Sequence, residues 1–162
     1  MKTAGFTLIE LVVTVMIVAI LAAGAVPIAQ LTIQRNKETE LKQALRQIRE
    51  SIDLYKKAAD EGMVKRTLDQ TGYPPSLEVL EQGVINQKDT KGKVIKFIRK
   101  IPRDPMNNDA DLKPAETWAK RSYASDVNAP AEGADVYDVY SRSPKKAIDG
   151  TIYNTWWAYE SN

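Results

Sequence analysis

Gly5-Phe6-Thr7-Leu8-Ile9-Glu10-Leu11-Val12-Val13 opens the stretch that decides the fold, because no charged side chain follows from Leu11 to Gln34. As an α-helix that run is roughly 36 Å long, enough to cross a hydrocarbon core of about 30 Å. A cleaved secretory signal is the rival reading. The run is longer than an h-region of about 7–15 residues, and it passes into further helix instead of a small-residue cleavage site. Retention as a membrane helix is therefore expected. Lys2 and the amino terminus carry the positive charge ahead of the span, which places the start of the chain in the cytoplasm and everything after Arg35 across the membrane. Glu10 alone breaks the apolar pattern. A carboxylate inside the bilayer costs on the order of 3 kcal/mol, so it must lie near the surface, find a partner or take up a proton.

The composition narrows the function. Among 162 residues there is neither cysteine nor histidine. A disulfide framework, a zinc finger, a thiol nucleophile and haem ligation are thereby excluded, and the commonest general base is missing. With 23 Lys and Arg against 21 Asp and Glu, the net charge of +2 is too balanced to point to nucleic acid. No cofactor is expected. The many acidic residues are scattered among loops, and no nucleophile has a plausible base beside it.

Beyond Arg35 the chain becomes charged, yet the helical period continues. Leu41, Leu45, Ile48, Ile52, Tyr55 and Ala59 recur at intervals of four, three, four, three and four, one apolar seam on an amphipathic helix. Arg46, Gln47, Arg49, Glu50, Asp53 and Lys56 fall on the other faces. So short a seam suits packing on a small domain better than a coiled coil. A helix unbroken from Phe6 to about Asp60 would be a rod of roughly 80 Å, stopped at Gly62. Gly24 and Pro27 sit inside it, and the proline predicts a kink or a locally melted turn.

The remaining residues read as a short helix and a few strands. Tyr73-Pro74-Pro75 enforces an extended approach, Ser76 is placed to cap a helix over Leu77 to Leu80, and Gly83 ends it. Strand signals follow at Val84-Ile85, Val94 to Ile101, Thr117 to Ala124 and Val136 to Ser141, with Ile101-Pro102-Arg103-Asp104-Pro105-Met106 as a rigid extended loop. The expected class is α+β: a long amino-terminal helix, half membrane and half amphipathic, packed on a small domain with a short helix and a small antiparallel sheet. Its segments are a leader over 1–5, a transmembrane and assembly helix over 6–34, an amphipathic continuation over 35–61 and a globular domain over 62–162.

The Gly5-Phe6-Thr7-Leu8-Ile9-Glu10 motif, a few residues from the start and opening an uncharged helix, resembles the processing signal of type IV pilins and type II secretion pseudopilins. Tyr73-Pro74, Ile101-Pro102-Arg103-Asp104-Pro105, Trp118, Tyr137-Asp138-Val139-Tyr140-Ser141 and Asp149-Gly150-Thr151 with its aromatic tail resemble the G-type major pseudopilins in particular. The resemblance implies a pilin-like fold and cleavage between Gly5 and Phe6 by a prepilin peptidase. It also implies N-methylation of Phe6 and pairing of Glu10 with the Phe6 amine of a neighbouring subunit. Cleavage would lower the net charge from +2 to +1. In this family a proline at the place of Pro27 accompanies helix unwinding when filaments form. The implied role is a structural subunit of a helical homo-oligomeric filament, anchored in the bacterial inner membrane with its globular domain in the periplasm and supporting protein export. Its implied partners are minor pseudopilins, the peptidase and an inner-membrane assembly platform. A surface pilin for adhesion, motility or DNA uptake is the alternative, although the carboxy-terminal disulfide usual there is missing. A membrane-anchored periplasmic enzyme or binding module is a third reading.

The sequence departs from the family in one place. The loop after the tyrosine-serine strand end usually holds a structural calcium ion, whereas here it reads Ser141-Arg142-Ser143-Pro144-Lys145-Lys146-Ala147-Ile148-Asp149. Calcium takes about six to eight oxygen ligands, several of them carboxylates, and the three cations oppose it. No metal is therefore expected, and Asp138 and Asp149 are read as turn-stabilising residues. Tyr153, Trp156 and Trp157 are expected to hold the loop by apolar packing, as a core plug in preference to a platform for carbohydrate or a partner.

Overall fold

The computed structural model describes residues 5–126 and 128–157, and of residues 24–27 the backbone alone. Lys2 and most of the expected leader lie outside the described residues, as does the ring of Pro27, on which the expected kink depends, while the backbone of residues 24–27 is helical. The order of elements is α1 (Leu8–Asp60), α2 (Glu78–Gln82), β1 (Val84–Ile85), β2 (Val94–Ile95), β3 (Trp118–Arg121) and β4 (Asp138–Ser141), with 3-10 turns at Pro114–Thr117 and Tyr153–Thr155. The chain divides into two compact units, one ending at Asn36 and the other starting at Lys37.

The first unit is the apolar part of α1, whose large side chains from Leu8 to Ile33 are exposed wherever they are described. It is long and apolar enough to cross a membrane. Two of its threonines satisfy their own hydroxyls within the helix. The hydroxyls of Thr14 and Thr32 donate to the carbonyls of Leu11 at 2.8 Å and Ile28 at 3.0 Å, so neither presents an unmet donor to an apolar medium.

In the second unit the seam is the spine of the core. Leu41, Leu45, Ile48, Ile52, Tyr55 and Ala59 are all buried, and Ala44 and Ala58 widen the stripe. They pack with Leu77, Leu80, Ile98, Ile101, Trp118, Val136, Val139, Ala147, Tyr153 and Trp156. Helix α1 closes where expected: Gly62 takes φ of +74°, and the Gly62 and Met63 amides return to the carbonyls of Ala59 and Ala58.

Two local expectations are corrected. Ser76 does not cap α2; the cap position is Leu77, without a side-chain hydrogen bond, because burial of Leu77 in the core sets where the helix begins. Gly83 does end it, at φ of +87°, and a Cβ there would stand 2.6 Å from the Ile95 carbonyl oxygen. That close approach lets β2 fold back directly over the end of α2. The single small sheet is in fact two antiparallel pairs, β1 with β2 and β3 with β4, in registers Val84 to Ile95 and Trp118 to Ser141.

The strands are shorter than their apolar runs because backbone groups at the ends find other partners. The amides of Phe97 and Ile98 both donate to the Leu80 carbonyl, ending β2 at Ile95. Thr117 closes a 3-10 turn through its hydroxyl and the Pro114 carbonyl, at 2.6 Å, so β3 begins at Trp118. The Val136 amide donates to Pro74, ahead of β4. The segment over Ile101–Asp104 is no strand, in keeping with Pro102 within it and Pro105 next to it.

Candidate functional site

The Gly5–Phe6 peptide lies ahead of α1, outside regular structure. Phe6 is 80% exposed, and a Cβ placed on Gly5 would meet nothing within 4 Å. Glu10 sits in the first turn, where its carboxylate accepts from the Thr7 hydroxyl at 3.1 Å and the Thr7 amide at 3.3 Å. The Glu10 amide donates back to the Thr7 hydroxyl at 3.4 Å. This is a capping box, two orphan donors of a helix start satisfied reciprocally. Its signature, threonine followed three residues later by glutamate, stands in the sequence at Thr7 and Glu10. Gly5, Phe6 and Glu10, the expected processing and assembly residues, stand at one helix end with Thr7 among them.

In the globular unit, buried carboxylates act as fasteners. Asp104, 1% exposed, accepts from the Ser141 hydroxyl at 2.6 Å and the Met106 amide at 2.8 Å. It ties the proline loop to the end of β4. Burial pushes its carboxyl above the ordinary value, against these hydrogen bonds. Asp135 accepts from the Thr71 hydroxyl, the Ser122 hydroxyl at 2.7 Å and the Tyr123 amide at 2.9 Å. Burial works to raise its carboxyl, but these donors outweigh it and hold the group below its ordinary value of 3.8. The stabilisation from Asp135 is therefore complete above pH 3.8 and is lost as pH falls through the lower folded-state value. Asp135→Asn should cost about 1–2 kcal/mol near pH 7. The gap between variant and wild-type melting temperatures should close as the buffer is taken to strongly acid pH. A gap of constant size would contradict the role of the charge.

The loop that departs from the family is held by several groups. Tyr153 and Trp156 are buried edge to face, with ring centroids 5.3 Å apart, as a core plug. Trp157 is a correction: it is only half-buried, and the Arg121 guanidinium lies 5.3 Å from its ring, a cation–π contact in place of apolar packing. Glu38 reaches in from α1 to accept from the Ile148 amide at 2.9 Å and the Tyr153 hydroxyl at 2.8 Å. Asp149 accepts from the Thr151 amide at 2.9 Å and hydroxyl at 2.6 Å, the expected turn. Asp138 accepts from Arg49 Nε at 2.7 Å and from the Val139 amide at 2.7 Å. Burial pushes its carboxyl up, opposed by the guanidinium.

These residues do not fit calcium. Asp138 is taken by a fixed cation, Asp149 by its own turn, and among the described residues no group of three or more acidic side chains is placed to hold an ion. In this loop, Glu38 and Arg49 are fasteners to which the sequence alone assigns no partner. A signal for Glu38 exists, since it continues the seam three residues before Leu41.

The model for the prokaryotic N-terminal methylation motif matches residues 1–26. Over 113 residues the chain is 33% identical to the type II secretion system core protein G of Pseudomonas aeruginosa, an alignment covering 66% of this chain and 70% of that protein. No solved structure matches the chain.

Proposed function

Because the chain belongs to the G-type pseudopilins of type II secretion, we propose that it is a structural subunit, cleaved between Gly5 and Phe6 and methylated on the new Phe6 amine, that polymerises into a periplasmic filament supporting protein export. The observation that carries the reading is the Gly5-to-Glu10 motif at the open end of an exposed, uncharged helix. A helix apolar all round needs lipid or other helices about it, and a filament core of like helices supplies the second once the subunit leaves the first. The subunit waits in the inner membrane, with residues 6–34 as its span and its globular domain in the periplasm. Residues 1–5 are the leader that is removed. Prepilin peptidase, minor pseudopilins and an inner-membrane assembly platform are its partners.

Within the filament, Glu10 is the register mark. An ammonium on Phe6 of one subunit and the Glu10 carboxylate of the next relieve each other's burial, and the attraction is strong at low dielectric. A single charge pair also stops apolar helices from sliding past each other. Gly24 and Pro27 supply the place where the helix yields as subunits pack. Mass spectrometry of the protein purified from membranes tests the reading. The expected amino terminus is N-methylphenylalanine at position 6, and a chain that still begins at Met1 would overturn it.

A further inference from the structure

Arg49, on α1, gathers an unusual set of oxygens. Its Nε donates to Asp138 Oδ1 at 2.7 Å. Its Nη2 lies 3.5 Å from Asp138 Oδ2, 3.4 Å from the Val139 carbonyl and 3.3 Å from the Trp156 carbonyl. One carboxylate and two backbone carbonyls, drawn from β4 and from the last turn of the loop, are the hard oxygen donors that a metal cation collects. Both partners of the ion pair are largely shielded, with side chains 17% and 13% exposed. A guanidinium cannot lose its proton, and its planar fork serves carboxylate and carbonyls together.

The loop's other fastenings leave the same job undone. Asp149 and Thr151 shape the turn locally, and Glu38 holds Ile148 and Tyr153. Among these contacts, the guanidinium alone bridges α1, β4 and the Trp156 backbone at one point.

We propose that the Arg49 guanidinium is the resident cation of the carboxy-terminal loop, a covalently attached substitute that closes Ser141 to Trp157 onto α1 and makes folding of the domain independent of calcium. The arrangement concerns only the globular unit and stands whether or not the amino-terminal helix assembles as proposed above. A cation built into the chain is always present, so subunits fold regardless of the divalent ions around them.

Thermal melting of the full chain in detergent, followed by near-UV circular dichroism, tests this. The wild type should melt at the same temperature, within about 1 °C, in excess EGTA and in millimolar calcium chloride. Arg49→Gln should melt roughly 10 °C lower, since it strands a shielded carboxylate. Arg49→Lys should recover part of that loss, because an ammonium keeps the charge but not the fork. A wild-type melting temperature that falls in EGTA and returns with calcium would overturn the proposal, and that arm needs no variant to fold. So would an Arg49→Gln protein that melts with the wild type.

Discussion

Replacing Glu10 by valine should abolish filament assembly and secretion while leaving membrane insertion and processing intact. Valine lowers the cost of burying this turn in lipid by about 3 kcal/mol, so a defect of insertion is not expected. The proposed cleavage site at Gly5–Phe6 lies ahead of the helix and is untouched by the substitution. What valine removes is the only acidic side chain before Glu38. With it goes the counter-charge for a neighbouring amine.

The capping box complicates the reading of that variant. Glu10 also satisfies the Thr7 amide within its own subunit, and losing a cap costs about 1 kcal/mol. Glu10→Gln separates the two roles, since an amide oxygen can still accept from Thr7 but carries no charge. If charge pairing sets the register, Gln should fail as Val does, in cross-linking of filaments and in export of cargo alike. Normal assembly by the Gln variant would leave capping as the whole role of Glu10, and normal assembly by the Val variant would remove the residue from the mechanism.

The second large effect is expected at Trp118. Its side chain is fully buried at the start of β3, and its indole N–H donates to the Pro102 carbonyl at 2.8 Å. Trp118→Ala removes the largest fully buried side chain of the domain and leaves that carbonyl unpaired. The cavity costs about 3–5 kcal/mol and the orphaned acceptor about 1 kcal/mol more. Against a total stability of about 5–15 kcal/mol, that loss removes a large share of what holds the domain folded, so its unfolded fraction and its clearance by proteolysis should both rise steeply. Trp118→Phe keeps most of the volume and loses only the donor, so about 2 kcal/mol is expected. Urea unfolding monitored by near-UV circular dichroism distinguishes them. An alanine variant within 1 kcal/mol of the wild type would mean that the proline loop is not anchored through this ring.

Much of the fold was legible because its signals are local. The seam from Leu41 to Ala59 repeats with the helix itself, Gly62 and Gly83 stand where only a positive φ can end a helix tightly, and the prolines of residues 101–105 rule out a regular strand. The strand ends were not legible. Phe97 and Ile98 continue an apolar, β-favouring run, and only the presence of the Leu80 carbonyl nearby turns their amides out of a ladder. Nothing local marks Arg49 out from the other charges beside the seam, because its partners, Asp138 and the carbonyls of Val139 and Trp156, lie 89 to 107 residues away.

By itself, then, the sequence determined the elements whose causes lie within a few turns of chain: a long apolar helix with the methylation motif at its head, an amphipathic continuation and a small proline-punctuated domain. Tertiary structure decided that the expected sheet is two hairpin-like pairs and that Glu38 and Arg49 fasten the last loop. Trp157 meets a guanidinium there in place of the core. Helical periodicity and backbone sterics act between neighbours and can be read from spacing. A hydrogen bond or an ion pair forms with whichever group folding brings within about 3 Å, and that distance exists only in the folded chain.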